Sequence, residues 1–129
     1  MTEHPNAVAA RRSYAASNSG DLDVIREYFT DDAVLHLAGN NAMSGTYRGR
    51  EAVMDALARD SQGWGPHAEM ETILASDDHV IAFVRVTSER DGKTLDVVVA
   101  QAVKVNAEGK ATEAWFLPND QRGYDRFFL

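Results

Sequence analysis

The sequence predicts an α+β fold, and three observations carry that prediction: helical periodicity concentrated in the first half, four β-rich runs in the second half, and turn signals between those runs. Helices first and strands afterwards argue against the strict alternation of a parallel α/β sheet. At 129 residues the chain has room for one hydrophobic core, so residues 1–129 are read as a single domain.

Each element has its own local reason. Pro5 suits a first helical turn, and the alanine-rich stretch from Ala7 to Ala16 favours helix until Asn18-Ser19-Gly20 stops it. Asp21 is a natural N-cap for a short second helix, with Leu22, Ile25 and Phe29 at helical spacing on one face and Thr30-Asp31-Asp32 at its end. A brief strand follows over Ala33–Leu37, and Gly39-Asn40-Asn41 turns into a long loop through Met43, Ser44, Gly45 and Tyr47. Ala52, Val53, Ala56 and Leu57 recur at three and four residues, which predicts a third helix to about Arg59 and a loop from Asp60 to Pro66. The remaining runs, near 68–75, 80–88, 95–105 and 111–117, are separated by Ser76-Asp77-Asp78, Asp91-Gly92-Lys93 and Asn106-Ala107-Glu108-Gly109, and they read as an antiparallel meander. Asp120 is placed to cap a short C-terminal helix that presents Tyr124, Phe127 and Phe128.

Alternation orients the sheet. Val80, Ala82, Val84 and Val86 share one face of their strand, and Ile81, Phe83, Arg85 and Thr87 share the other. A sheet that is largely apolar on both faces needs cover on both, so helices are expected on one side and a second copy of the chain on the other.

Composition narrows the function classes. The net charge of −7 sets an unfavourable field for nucleic acid or an anionic membrane surface, and basic residues occur in pairs at most, as in Arg11-Arg12. The absence of cysteine removes thiolate catalysis and Cys-ligated metals. No segment approaches the ~20 apolar residues of a membrane span, and the first five residues carry no export pattern, so a cytoplasmic protein is expected. His4, His36, His67 and His79 are scattered, without an i,i+4 pair, which gives no support for a metal. No glycine-rich phosphate cradle is present either, so no cofactor is implied.

The order of Tyr14, Ser19-Gly20-Asp21-Leu22-Asp23, Phe29-Thr30-Asp31-Asp32-Ala33-Val34, Ser44-Gly45-Thr46-Tyr47-Arg48-Gly49, Gly109-Lys110, Trp115 and Phe127-Phe128 resembles the NTF2-like superfamily and, more narrowly, its SnoaL-like branch. The resemblance covers essentially the whole chain. It implies three N-terminal helices packed in a strongly curved, mainly antiparallel sheet that encloses a conical pocket, in a homodimer. Relatives of this kind include ketosteroid isomerases, polyketide cyclases, epoxide hydrolases, dehydratases and adaptors, so the fold does not settle the chemistry.

The catalytic positions implied by those relatives are mostly vacant. The ketosteroid-isomerase base falls on Leu37, its protonated acid on Gln101 and its tyrosine on Ser13, one place before Tyr14. The carboxylate that cyclases carry after the strand tryptophan is replaced by Phe116, and Arg85 lacks the pair of aspartates that an epoxide-hydrolase network needs. His36 is then the candidate catalytic residue, since related sequences often carry a histidine on the first strand and imidazole exchanges protons near neutrality. Tyr14, Met43, Tyr47, Trp64, Gln101 and Trp115 are the candidate substrate-binding residues: aromatic and thioether walls with a few polar tips. The expected ligand is a small, mostly apolar, oxygenated metabolite, with cofactor-independent acid/base chemistry as the leading reading and a binding module or dimeric adaptor as the alternatives.

Overall fold

A computed structural model describes residues 3–64 and 68–128, and for residues 60–64 the backbone alone. Helix α1, Pro5–Ser19, begins with proline in its first turn and ends at Gly20, whose φ of 78° is the left-handed value that glycine adopts without strain. The His4 side chain caps its start by accepting from the Asn6 amide. The buried Asn6 side chain donates to the carbonyls of Ser76 at 2.9 Å and Asp77 at 3.2 Å, tying the helix to a distant turn. Helix α2, Leu22–Tyr28, is capped by Asp21 as expected, but Leu22 is exposed and Phe29 already belongs to the next strand.

Strand β1 is longer than the sequence suggested, running over Phe29–Leu37. Asp31 and Asp32 point to solvent, where an exposed strand segment tolerates them, and Asp31 pairs with Arg50, which also donates to the Phe29 carbonyl. Part of the expected loop is strand β2, Gly45–Arg48, an edge strand that lies antiparallel to β1. Its apolar signal is weak because three of its four residues are exposed. Helix α3 spans Arg50–Trp64, beyond the stop expected near Arg59; the polar run after Arg59 contains no proline before Pro66 and continues the helix.

Strands β3 (Ala68–Ala75), β4 (His79–Arg90), β5 (Lys93–Val105) and β6 (Ala111–Pro118) form the expected antiparallel meander. The curved sheet has the order β2-β1-β6-β5-β4-β3, and β1 pairs with β6 in parallel. Helix α4, Gln121–Phe127, is capped by Asp120, which accepts from the Gly123 amide at 3.0 Å. Asp125 accepts from Asn41 at 2.7 Å and from Gln121 at 2.9 Å, which fastens α4 to the turn after β1. Gly39 in that turn has φ of 98°, and an added Cβ would meet the side chains of Gln121 and Asp125.

The concave face of the sheet carries Leu35, Leu37, Val84, Val86, Val97 and Val99, packed with Val53, Met54 and Ala56 of α3 and with Ile25 and Phe29. The inner and outer faces of β4 divide as alternation requires, with Val80, Ala82, Val84 and Val86 buried and Ile81, Phe83 and Arg85 exposed. Among the described residues no helix is long and apolar enough to cross a membrane.

Candidate functional site

A hollow of about 360 Å³ lies between the helices and the concave face. Ser13, Tyr14 and Ser17 reach it from one side of α1, with Asn18 at the helix end. Tyr28 and Phe29 enter from the junction of α2 and β1. The sheet supplies Val80, Ala82 and Val84 from β4, Gln101 and Val103 from β5, and Ala114 and Phe116 from β6. Cross-strand register explains the grouping: Gln101 stands opposite Ala82 on one side and Phe116 on the other, so all three project from the same face.

Two phenols set the character of this space. The hydroxyls of Tyr14 and Tyr28 are buried; that of Tyr28 has no hydrogen-bond partner among the described residues, and that of Tyr14 has the Asn18 side chain beside it. An unsatisfied buried hydroxyl costs about 1–3 kcal/mol, which the Tyr28 phenol carries in the folded chain. Burial pushes the Tyr28 phenol up to about 12. The Tyr14 phenol is also raised, chiefly by burial and further by the negative charge of Glu69, while nearby Asn18 offsets part of the rise. Both therefore remain neutral donors across the physiological range.

The sequence candidates separate into those that reach the hollow and those that do not. Tyr14 and Gln101 line it. Met43 is buried in the core beyond it, with only 8% of its surface exposed. Tyr47 lies across β2 with its ring under the Arg59 guanidinium, and its hydroxyl donates to the Met43 carbonyl at 2.8 Å. The side chain of Trp64 lies outside the described residues, as does all of His67.

His36 requires correction. It alternates with the buried Leu35 and Leu37, so its ring projects from the opposite, convex face of the sheet. There its Nε2 meets the Glu113 carboxylate at 2.6 Å, its Nδ1 meets the Thr46 hydroxyl at 3.1 Å, and the ring stacks on Trp115 at 5.4 Å. Trp115 is on this outer side for the same reason, being register partner to His36 and neighbour to the inward Ala114 and Phe116. Neither residue shares a space with Gln101, and the expected pairing of His36 with Gln101 around one substrate is not formed. Arg85 also faces outward, bound through two nitrogens to Asp96 at 3.0 and 2.8 Å.

Tyr28 was missed by the sequence reading, which put Leu22, Ile25 and Phe29 on the apolar face of α2. Asn18 was read only as a helix stop. Among the described residues, no group of three or more His, Asp or Glu side chains is positioned to hold a metal ion.

This geometry agrees with what the chain is similar to. An uncharacterised protein of Mycobacterium tuberculosis is 31% identical over 115 residues, which cover 87% of each chain. The solved structure of Bal32a, from a soil-derived mobile gene cassette, is 34% identical and superposes with a TM-score of 0.88, covering 96% of both chains. The structure of Rv0760c from Mycobacterium tuberculosis in complex with estradiol-17β-hemisuccinate superposes with a TM-score of 0.71 at 21% identity, over 88% of this chain and 93% of that one, and so shares the fold. The helices cradled in a curved sheet are the NTF2-like arrangement. The model of the SnoaL-like domain matches residues 10–114, which reach from the helix that carries Tyr14 to the strand that closes the hollow, and the chain belongs to the SnoaL-like family.

Proposed function

We propose that this chain takes a small, mostly apolar, oxygenated metabolite into the hollow between its helices and sheet, without a cofactor. The observation that carries the reading is the composition of the walls: valine, alanine, leucine, methionine and phenylalanine side chains, interrupted by Tyr14, Tyr28 and Gln101 and by Ser13, Ser17 and Asn18 at the α1 side. A volume of about 360 Å³ falls within the range of small-molecule sites. The steroid conjugate bound by Rv0760c supports a largely apolar ligand for this fold.

Binding is favoured over isomerase, cyclase, dehydratase or hydrolase chemistry by one feature. The ionisable groups among the described lining residues are two tyrosines held neutral, whereas acid/base turnover needs a group that exchanges protons near the working pH. Mass spectrometry of gently purified protein is expected to find an apolar oxygenated compound, and a naphthalene dye is expected to compete with it. Ala10→Phe, which adds a ring to the wall from α1, is expected to weaken dye binding at least about tenfold while the circular dichroism stays unchanged. Undiminished dye binding by that variant would place the ligand elsewhere.

The convex face is proposed to seat a second copy of the chain. A single row crosses all six strands there, Leu74, Ile81, Ala102, Trp115, His36 and Thr46, each the register partner of the next. Beside it Phe83 and Leu117 flank Ala100, and Leu74, Ile81, Phe83 and Leu117 are all exposed in the single chain. Such a patch on a sheet face marks an association surface. Sedimentation is expected to give twice the chain mass, and Phe83→Glu the chain mass; a wild-type monomer at high concentration would refute the assignment.

A further inference from the structure

We propose that two copies of the chain meet on their convex faces with opposite ends of the sheet facing, about a two-fold axis that crosses β4 between Ile81 and Phe83, so that Lys104 of each copy lies against Glu69 and Glu71 of the partner subunit. The inference rests on the reading that the convex face seats a second copy, and it adds which way round the two sit and which charges hold them there.

Strand register fixes where each outward side chain stands. Leu74, Ala102 and Trp115 lie in the row of Ile81, and Ala100 and Leu117 in the row of Phe83, so the centre of the face is apolar. The unpaired charges lie beyond those rows, with one sign at each end. Toward the His79 end, Lys104 of β5 is exposed and makes no ion pair among the described residues. Its cross-strand neighbour Glu113 is already engaged by His36 at 2.6 Å. Toward the Arg85 end, Glu69 and Glu71 of β3 are exposed and form no ion pair of their own among the described residues. Glu69 is the register partner of Arg85, and Glu71 is the extra residue where the register shifts between Met70 and Thr72. Both carboxylates act on the Arg85 guanidinium, which places them on its side of the sheet. That guanidinium is committed to Asp96 through two nitrogens, at 3.0 and 2.8 Å.

The apolar rows favour contact in any orientation, and the charges select among orientations. Lys104 and the two glutamates flank β4 on opposite sides and at opposite ends of the apolar rows. A half-turn about an axis crossing β4 between them exchanges their places, and each copy supplies the cation that the other lacks. A half-turn about an axis along β4 carries β3 over β5 instead. Glu69 then lies over the partner subunit's Val98, two residues from Asp96 of the partner subunit, and gains no free cation. In that arrangement Lys104 meets the turn whose carboxylates, Asp77 and Asp78, are already held by His4 and His79. A carboxylate covered without a counter-ion is costly, so the charges disfavour it.

Disulfide trapping reads the arrangement directly, because the chain has no cysteine and introduced thiols report alone. Lys104→Cys with Glu71→Cys in one chain is expected to oxidise to a covalent dimer at least about tenfold more completely than either single substitution. Within one chain the two positions cannot bridge, since β3 and β5 stand ~10 Å apart across β4. Lys104→Glu is expected to raise the dimer dissociation constant at least about tenfold at low salt, and adding Glu71→Lys to return it to within about threefold of the wild type. The unsubstituted protein gives an independent reading: its dimer is expected to loosen severalfold between low salt and ~1 M salt, whereas an interface held by the apolar rows alone does not loosen. Should a substituted chain fail to fold, that salt dependence decides alone. A wild-type dimer that salt leaves unchanged, or a double-cysteine variant that stays dimeric without cross-linking, overturns this arrangement and leaves the convex interface standing. A wild-type monomer at high concentration removes the interface, and the arrangement with it.

Discussion

Leu35→Ala is expected to lower the unfolding free energy by about 3–4 kcal/mol, measured by urea denaturation at neutral pH. Leu35 is completely buried in the C-terminal half of β1, with Tyr47 and Ala114 as its register partners on either side. Removing a buried leucine side chain costs its transfer free energy plus the cavity it leaves, and the size of the second contribution depends on how far the surroundings can close. Here they close little. The flanking backbones are fixed by strand pairing with β2 and β6, and the α3 residues in the same cluster, Val53 and Ala56, are themselves fully buried. Against a typical total of about 5–15 kcal/mol, that loss is a large fraction of the stability. Leu22→Ala is the matching control: Leu22 is 57% exposed, and its truncation is expected to change stability by no more than about 0.5 kcal/mol. A similar cost at both positions would contradict the burial that separates them.

The second large effect appears in alkali. The folded-state pKa of Tyr28 is raised to about 12 from an ordinary value of 10.0, because burial disfavours the phenolate. A raised value means that the folded state holds its proton more firmly than the unfolded chain. Its contribution is therefore fully present below pH 10 and is lost as pH rises through the folded value, about 12. A shift of that size corresponds to about 2–3 kcal/mol. Denaturation curves between about pH 9 and pH 12 should show this loss in the wild type and a shallower slope in Tyr28→Phe. Ultraviolet titration of phenolate should show one late-ionising tyrosine that disappears in the same variant. An unchanged alkaline slope in Tyr28→Phe would mean that the hydroxyl is hydrated and ionises freely.

The parts of the fold legible in the sequence were those with strong local chemistry. Asp21 and Asp120 cap helices where they were expected to, Gly20 ends α1, and the alternation in β4 assigned every residue from Val80 to Arg85 to its correct face. Strand β2 was not legible because Gly45, Thr46 and Arg48 are exposed and owe their extended form to pairing with β1, which is a tertiary fact. The end of α3 was misplaced for a related reason: Asp60, Ser61 and Gly63 are weak helix formers singly, yet follow a well-formed helix without a proline.

The site divided along the same line. Gln101 was found because a polar residue amid valines is visible in one dimension, and Tyr14 because an aromatic side chain with a polar tip suits a cavity wall. His36 was misassigned although the information was present: Leu35 and Leu37 flank it, and a period of two sends their neighbour to the other face. Family habit outweighed parity there. Tyr28 needed the position of α2 against the sheet, which spacing within the helix alone does not give.

The parallel contact between β1 and β6 also has a consequence for how the chain reaches this structure. Val34, Leu35 and His36 must wait for Glu113, Ala114 and Trp115, partners almost eighty residues further along, because the intervening meander lies on the far side of β6. During synthesis the first strand therefore has only the short β2 beside it until the last strand has emerged. Closure of that seam is the slow, high-separation step, and the nascent chain carries an unpaired strand edge throughout the interval before it.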